Sequence, residues 1–209
     1  MDKDKLNKMK FSTRAVHAGY RKNEFGALAT PIYQTSTFIF DSAEQGGKRF
    51  ALEEDGYIYS RLGNPTCSQV EEKLACLENA EAAVSMSSGM GAITSVFWAA
   101  LNGNDHVVAA KTLYGCTFAY LNHGLSRFGV ETTFVDSSDP ENIRAAMRPN
   151  TKIVYLESPA NPNMLLSDIE VISKIAHETE GCMVVVDNTY CTPYIQFIPP
   201  QSILTDTEM

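Results

Sequence analysis

The sequence predicts an α/β fold, a mostly parallel sheet with helices on both faces. Apolar runs recur at 106–110, 131–135, 152–156 and 182–186, and stretches of helical spacing separate them. Several of the runs are unbroken rather than alternating, as in strands buried on both faces. At 209 residues the chain is long enough for one sizeable domain of this kind.

Residues 1–60 are expected to form an N-terminal arm. They show little periodicity, yet stretches such as Thr30-Pro31-Ile32-Tyr33 carry too much apolar content for disorder, which suggests wrapping on a neighbouring subunit. An α/β domain is expected over 61–194 and a divergent tail over 195–209. Within the domain, Ser68-x-x-Glu71 reads as a capping box for a helix bearing Val70, Leu74 and Leu77. Ala82-Ala83-Val84 reads as a strand, followed by a helix that Gly103 closes. Phe118, Leu121 and Leu125 lie at helical spacing. Ser138-x-x-Glu141, with Pro140, and Ser167-x-x-Glu170 read as the openings of two further helices. The tail, with Pro199-Pro200, shows no periodicity and suggests a truncated or frame-shifted end.

Composition excludes several classes. A formal net charge of -8 opposes general nucleic-acid binding, which needs a basic surface. Five cysteines form no Cys-x-x-Cys pair, and four scattered histidines complete no metal-ligand spacing, so no metal is expected. The thiols read as reduced and the compartment as cytoplasmic. Met1 to Lys10 is charged and unlike a signal peptide, and no apolar run reaches membrane-spanning length.

The chemistry gathers where strands end. Ser87-Ser88-Gly89-Met90-Gly91 stands between an apolar run and a helix, so unpaired first-turn N–H groups, with the helix dipole, can cradle a phosphate. A dinucleotide fingerprint is missing its third glycine, and a P-loop its closing Gly-Lys-Ser/Thr. The simpler alternative is an ordinary turn with a capping serine. Asp187 follows Met183-Val184-Val185-Val186, which suits either a partner for a cationic ring nitrogen or a turn cap. Tyr114 suits either a stacking ring or a core aromatic, and Asn161, between prolines, either a site residue or a turn residue. A cofactor with one phosphate, a flat ring and a basic ring nitrogen uses all of them together. Pyridoxal 5′-phosphate is such a cofactor.

Five stretches then carry a resemblance: 57–66 (YIYSRLGNPT), 87–92 (SSGMGA), 112–116 (TLYGC), 155–162 (YLESPANP) and 184–194 (VVVDNTYCTPY). The chain resembles the trans-sulfuration family of pyridoxal-phosphate enzymes over about residues 13–194. The resemblance implies the large cofactor domain of fold-type I enzymes, truncated here. It implies that Ser88, Gly89 and Met90 hold the phosphate, with Tyr59 and Arg61 reaching in from a neighbouring subunit of a homotetramer, a dimer of dimers. Tyr114 is implied to stack on the ring and assist at the leaving group, Asp187 to pair with the pyridine nitrogen with Thr189 beside it, and Asn161 to lie on the substrate side. Cys116, after Tyr-Gly, points within the family to enzymes acting on methionine; its alternative is a small buried hydrophobe.

The implied reaction is carbon–sulfur cleavage of a sulfur amino acid, methionine giving methanethiol, 2-oxobutanoate and ammonia. Cystathionine- or O-acetylhomoserine-using relatives and a non-catalytic partner subunit are the alternatives, and a phosphate-binding module unrelated to pyridoxal phosphate is a third. The family's Schiff-base lysine lies in a Ser-x-Thr-Lys stretch, a context that none of the ten lysines here has. The chain alone is therefore expected to be inactive, and its sheet to be incomplete.

Overall fold

Five parallel strands run through the second part of the chain: β1 (His106–Ala110), β2 (Glu131–Val135), β3 (Thr151–Glu157), β4 (Met183–Asp187) and β5 (Ser202–Thr205). Their order across the sheet is β2-β1-β3-β4-β5. This computed structural model describes residues 6, 8–196 and the backbone of 202–205. The chain divides into two compact units, residues 1–85 and 86–209.

The second unit has its apolar core on the sheet. All five residues of β1 are buried, and Ile153, Val154, Tyr155 and Leu156 of β3 are fully buried with Val184, Val185 and Val186 of β4. Unbroken apolar strands need cover on both faces, and the intervening helices supply it. Helix α4 (Gly89–Ala100) buries Ile93 and Phe97, and Phe97 stacks on Tyr155 with ring centroids 5.3 Å apart. Helix α6 (Pro140–Ala146) buries Ile143, and α7 (Ile169–Ala176) buries Ile169, Ile172 and Ile175. Between β1 and β2, α5 (Gly115–Ala119) runs on into a π turn over Tyr120–Gly124 and a 3₁₀ turn over Leu125–Phe128. After β1 the chain moves outward to β2 and then returns to β3 on the other side. In open parallel sheets such a reversal marks the usual ligand position, beyond the carboxyl ends of the strands on either side, here β1 and β3.

The first unit holds α1 (Phe11–His17), α2 (Ala43–Phe50) and α3 (Pro65–Leu77). Asn64 starts α3, its side-chain oxygen accepting from the Thr66 N–H, while its Nδ2 donates to Tyr33 O and Ser60 Oγ, each at 2.9 Å. Residues 36–38 are extended and pair with 58–60, through an antiparallel bridge between Thr37 and Tyr59. Ile39, 94% exposed, and Phe25, Leu28 and Ile32 stand clear of this unit's own core.

Several local expectations are corrected. Helix α3 begins at Pro65, so Ser68 lies inside it: Asn-Pro is the stronger start, with Pro free to occupy a position that needs no N–H. Helices α6 and α7 are capped by Asp139 and Asp168, each one residue beyond the expected serine. Residues 82–84 form no strand; Val84 is exposed and pairs with no strand among the described residues. Helix α4 ends at Ala100, before Gly103. The tail contributes β5, whose short run carries too little pattern to be read from sequence.

Candidate active site

Ser88 is the N-cap of α4, its hydroxyl accepting from the Gly91 N–H at 3.0 Å. A Cβ at Gly91 would stand 3.1 Å from the Ser88 hydroxyl, so a side chain there would press on the capping oxygen. The N–H groups of Gly89 and Met90 lie in the first turn, where no intrahelical carbonyl reaches them, so they remain available at the positive end of a twelve-residue helix. Met90 reaches the start of α5, where the Thr117 hydroxyl lies 3.7 Å from its sulfur.

Tyr114 precedes α5 and is 44% exposed. Cys116 is exposed beside it. The hydrogen bond between their side chains is the first cause that pushes the Tyr114 phenol above its ordinary pKa. The backbone N–H of Tyr114 donates to Glu157 Oε2 at 2.6 Å. Across the same carboxylate, the Asn161 N–H donates to Oε1 at 2.8 Å. Asn161 is half-buried in a turn whose Ser158–Pro159 and Asn161–Pro162 bonds are both cis.

Asp187 ends β4 and is 3% exposed. Its Oδ1 accepts from the Thr189 N–H at 3.1 Å and from the Thr189 hydroxyl at 2.6 Å, and its Oδ2 from the Tyr155 hydroxyl at 3.3 Å. Among the described ion pairs no lysine or arginine meets this carboxylate. A buried carboxylate without a cation is costly, and a protonated ring nitrogen is the kind of partner that lowers the cost. The donor set at α4 and this carboxylate therefore fit pyridoxal phosphate.

Ser88, Met90, Tyr114, Cys116, Asn161, Asp187 and Thr189 all belong to the second unit, linked through Met90–Thr117, through Glu157 and through the strand ends. Tyr59 and Arg61 belong to the first unit, where the Arg61 guanidinium lies over the Tyr59 ring at 5.3 Å. Lys111, just past β1, is held by Asp136 at 2.7 Å. That lysine's hydrogen bond is the leading cause that takes the Asp136 carboxyl down to about 2. Glu157 is not among the site residues expected from the sequence. Its signal was present, since it follows an apolar strand as Asp187 does.

Fold and site together define a class. Residues 12–199 match the model of the Cys/Met metabolism PLP-dependent enzymes, and the chain belongs to that family. It is 68% identical over 197 residues to an L-methionine gamma-lyase of Treponema denticola, covering 94% of this chain and 49% of the relative. It is 67% identical over 195 residues to an L-methionine gamma-lyase of Porphyromonas gingivalis, covering 93% of this chain and 49% of the relative. Among solved structures, metB from Corynebacterium glutamicum superposes with a TM-score of 0.84 at 37% identity, over 91% of this chain and 48% of that one. An O-acetylhomoserine (thiol)-lyase from Campylobacter jejuni, with a TM-score of 0.84 at 32% identity, carries N′-pyridoxyl-lysine-5′-monophosphate and is covered over 46% of its length by 89% of this chain. The chain thus spans about half the length of the curated relatives it matches.

Proposed function

We propose that this chain supplies the phosphate and ring walls of the cofactor site of a methionine γ-lyase-type carbon–sulfur lyase. The observation that carries it is the buried, cation-free carboxylate of Asp187 at the same sheet end as the open first turn of α4, in a chain 68% identical to such an enzyme. When bound, pyridoxal phosphate supplies an electron-withdrawing ring that stabilises negative charge next to the substrate nitrogen. Asp187 keeps a proton on the ring nitrogen, and Thr189 holds the carboxylate in place. The N–H groups of Gly89 and Met90, with the hydroxyl of Ser88, receive the phosphate. Tyr114 covers the ring, and its phenol O–H is the proton donor to a departing thiolate. Cys116 adjusts that phenol, and Asn161 lines the substrate side.

The first unit supports the reading of a homo-oligomer. Exposed Phe25, Leu28, Ile32 and Ile39 are apolar surface of the kind another subunit covers. The arm then carries Tyr59 and Arg61 into a neighbour's phosphate site. Among the described residues no helix is long and apolar enough to cross a membrane, and no His, Cys, Asp and Glu group could hold a metal ion. We place the protein in the cytoplasm, with no nucleic-acid partner.

Alone, the chain should bind pyridoxal phosphate without turning methionine over, since no lysine has the Ser-x-Thr-Lys context and Lys111 is engaged by Asp136. The test is spectrophotometric titration with pyridoxal phosphate alongside an assay for 2-oxobutanoate. Saturable binding with a background rate is expected. Absence of saturable binding contradicts the cofactor assignment, and steady release of 2-oxobutanoate contradicts the expected inactivity.

A further inference from the structure

Glu157 terminates β3 and is buried, and its two oxygens accept the backbone N–H groups of Tyr114 and Asn161. These amides lie on different loops, one after β1 and one after β3. Among the described ion pairs no lysine or arginine meets Glu157. Both oxygens accept freely only while the group is ionised. Once protonated, one of them becomes an O–H donor and competes with an N–H that is also a donor.

Resting on the cofactor assignment above, the geometry points to Glu157 as the positioning residue of this site. One ionised carboxylate fixes Tyr114 and Asn161 relative to each other, so loss of its charge loosens both the ring wall and the substrate wall. The charged group acting on it is Asp187 of β4, its register partner; Tyr114 and Cys116 are the titratable groups on the loop it holds. Burial first, then Asp187, pushes the Glu157 carboxyl up, while the two backbone bonds pull it down. The balance is an elevated value, so the switch falls above the ordinary glutamate range. A carboxylate that merely closed two turns would affect stability and leave ring binding alone.

The test follows the amide resonances of Tyr114 and Asn161 in the full chain between about pH 8 and about pH 5. It is paired with titration of 4′-deoxypyridoxine 5′-phosphate, which lacks the aldehyde and needs no lysine, and of inorganic phosphate. Both amides should move with one common midpoint, and Glu157→Gln should abolish that movement. The glutamine variant should bind the ring-bearing probe about tenfold more weakly and inorganic phosphate unchanged. Glu157→Asp, which retains the charge, should keep a common titration. Separate midpoints, or a glutamine variant that binds the probe as the wild type does, would overturn the proposal. If the wild type ignores the probe while both amides titrate together, the cofactor assignment fails and the positioning role stands. Should Glu157→Gln not fold, the common midpoint in the wild type decides alone.

Discussion

Glu157 and Asp187 sit side by side in register at the ends of β3 and β4, two buried carboxylates on neighbouring parallel strands. They are used differently. Glu157 spends both oxygens on backbone donors from the loops, whereas Asp187 keeps one oxygen with only a long contact to the Tyr155 hydroxyl. In the proposed site the first positions the two walls and the second meets the cationic ring nitrogen.

Thr189 should matter through Asp187. Its hydroxyl donates at 2.6 Å to a buried carboxylate, and a hydrogen bond to a charged group contributes about 1.5–3 kcal/mol. Thr189→Val should lower unfolding stability by about that amount and weaken pyridoxal-phosphate binding. Denaturant titration together with ligand titration checks both. Unchanged binding would mean that the orientation of Asp187 is held by other contacts.

Ser88 separates capping from anion binding. Ser88→Ala should cost about 0.5–2 kcal/mol of stability, the usual loss for a removed N-cap. Ser88→Asp keeps a good cap, so its stability should stay near wild type while its negative charge repels the phosphate and weakens binding. Thermal melts and phosphate titration of the two variants give opposite orders if Ser88 has both roles.

Much of this was legible in the sequence, for identifiable reasons. Strands β1 and β2 have the bounds that their apolar runs suggested; β1, a central parallel strand buried throughout, leaves little room for polar interruption, and β2 on the edge ends with it in register. Caps slipped by a residue at Asp139 and Asp168 because aspartate competes with serine for the same backbone donors. Residues 82–84 have strand-like composition, but composition cannot supply the neighbour that a strand needs. Glu157 was passed over because the function of a strand-end carboxylate depends on which loops return to it, and that is a tertiary fact.

His106 should make stability fall on mild acidification. It is fully buried at the start of β1, with Nδ1 2.8 Å from the Thr151 hydroxyl and Nε2 2.9 Å from that of Thr133. Burial, then Arg148, lowers its pKa in the folded state, with Glu131 opposing. The unfolded chain therefore takes up a proton first as pH falls from about 6.5, so stability is full above that value and declines below it. Denaturant midpoints should drop between about pH 7.5 and about pH 5.5, and His106→Gln should flatten the drop. An equal drop in the variant would assign it to other groups.

Phe97 links α4 to the sheet. It is fully buried against Tyr155 and Tyr120, so Phe97→Ala leaves a cavity worth about 3–5 kcal/mol. With the phosphate donors on α4, as proposed, affinity for inorganic phosphate should fall with stability. A variant that melts lower yet binds phosphate normally would show that the first turn of α4 is held independently of the core.

The central claim is that the first turn of α4 receives the cofactor phosphate while Tyr114 covers its ring. Its most direct measurement is a titration of the isotopically labelled chain with pyridoxal phosphate, read at individual backbone amides. The account predicts saturable shifts at Gly89 and Met90, with a concurrent shift at Tyr114 and a single shared affinity. Shifts confined to other residues, or none at Gly89 and Met90 at saturating ligand, would contradict it.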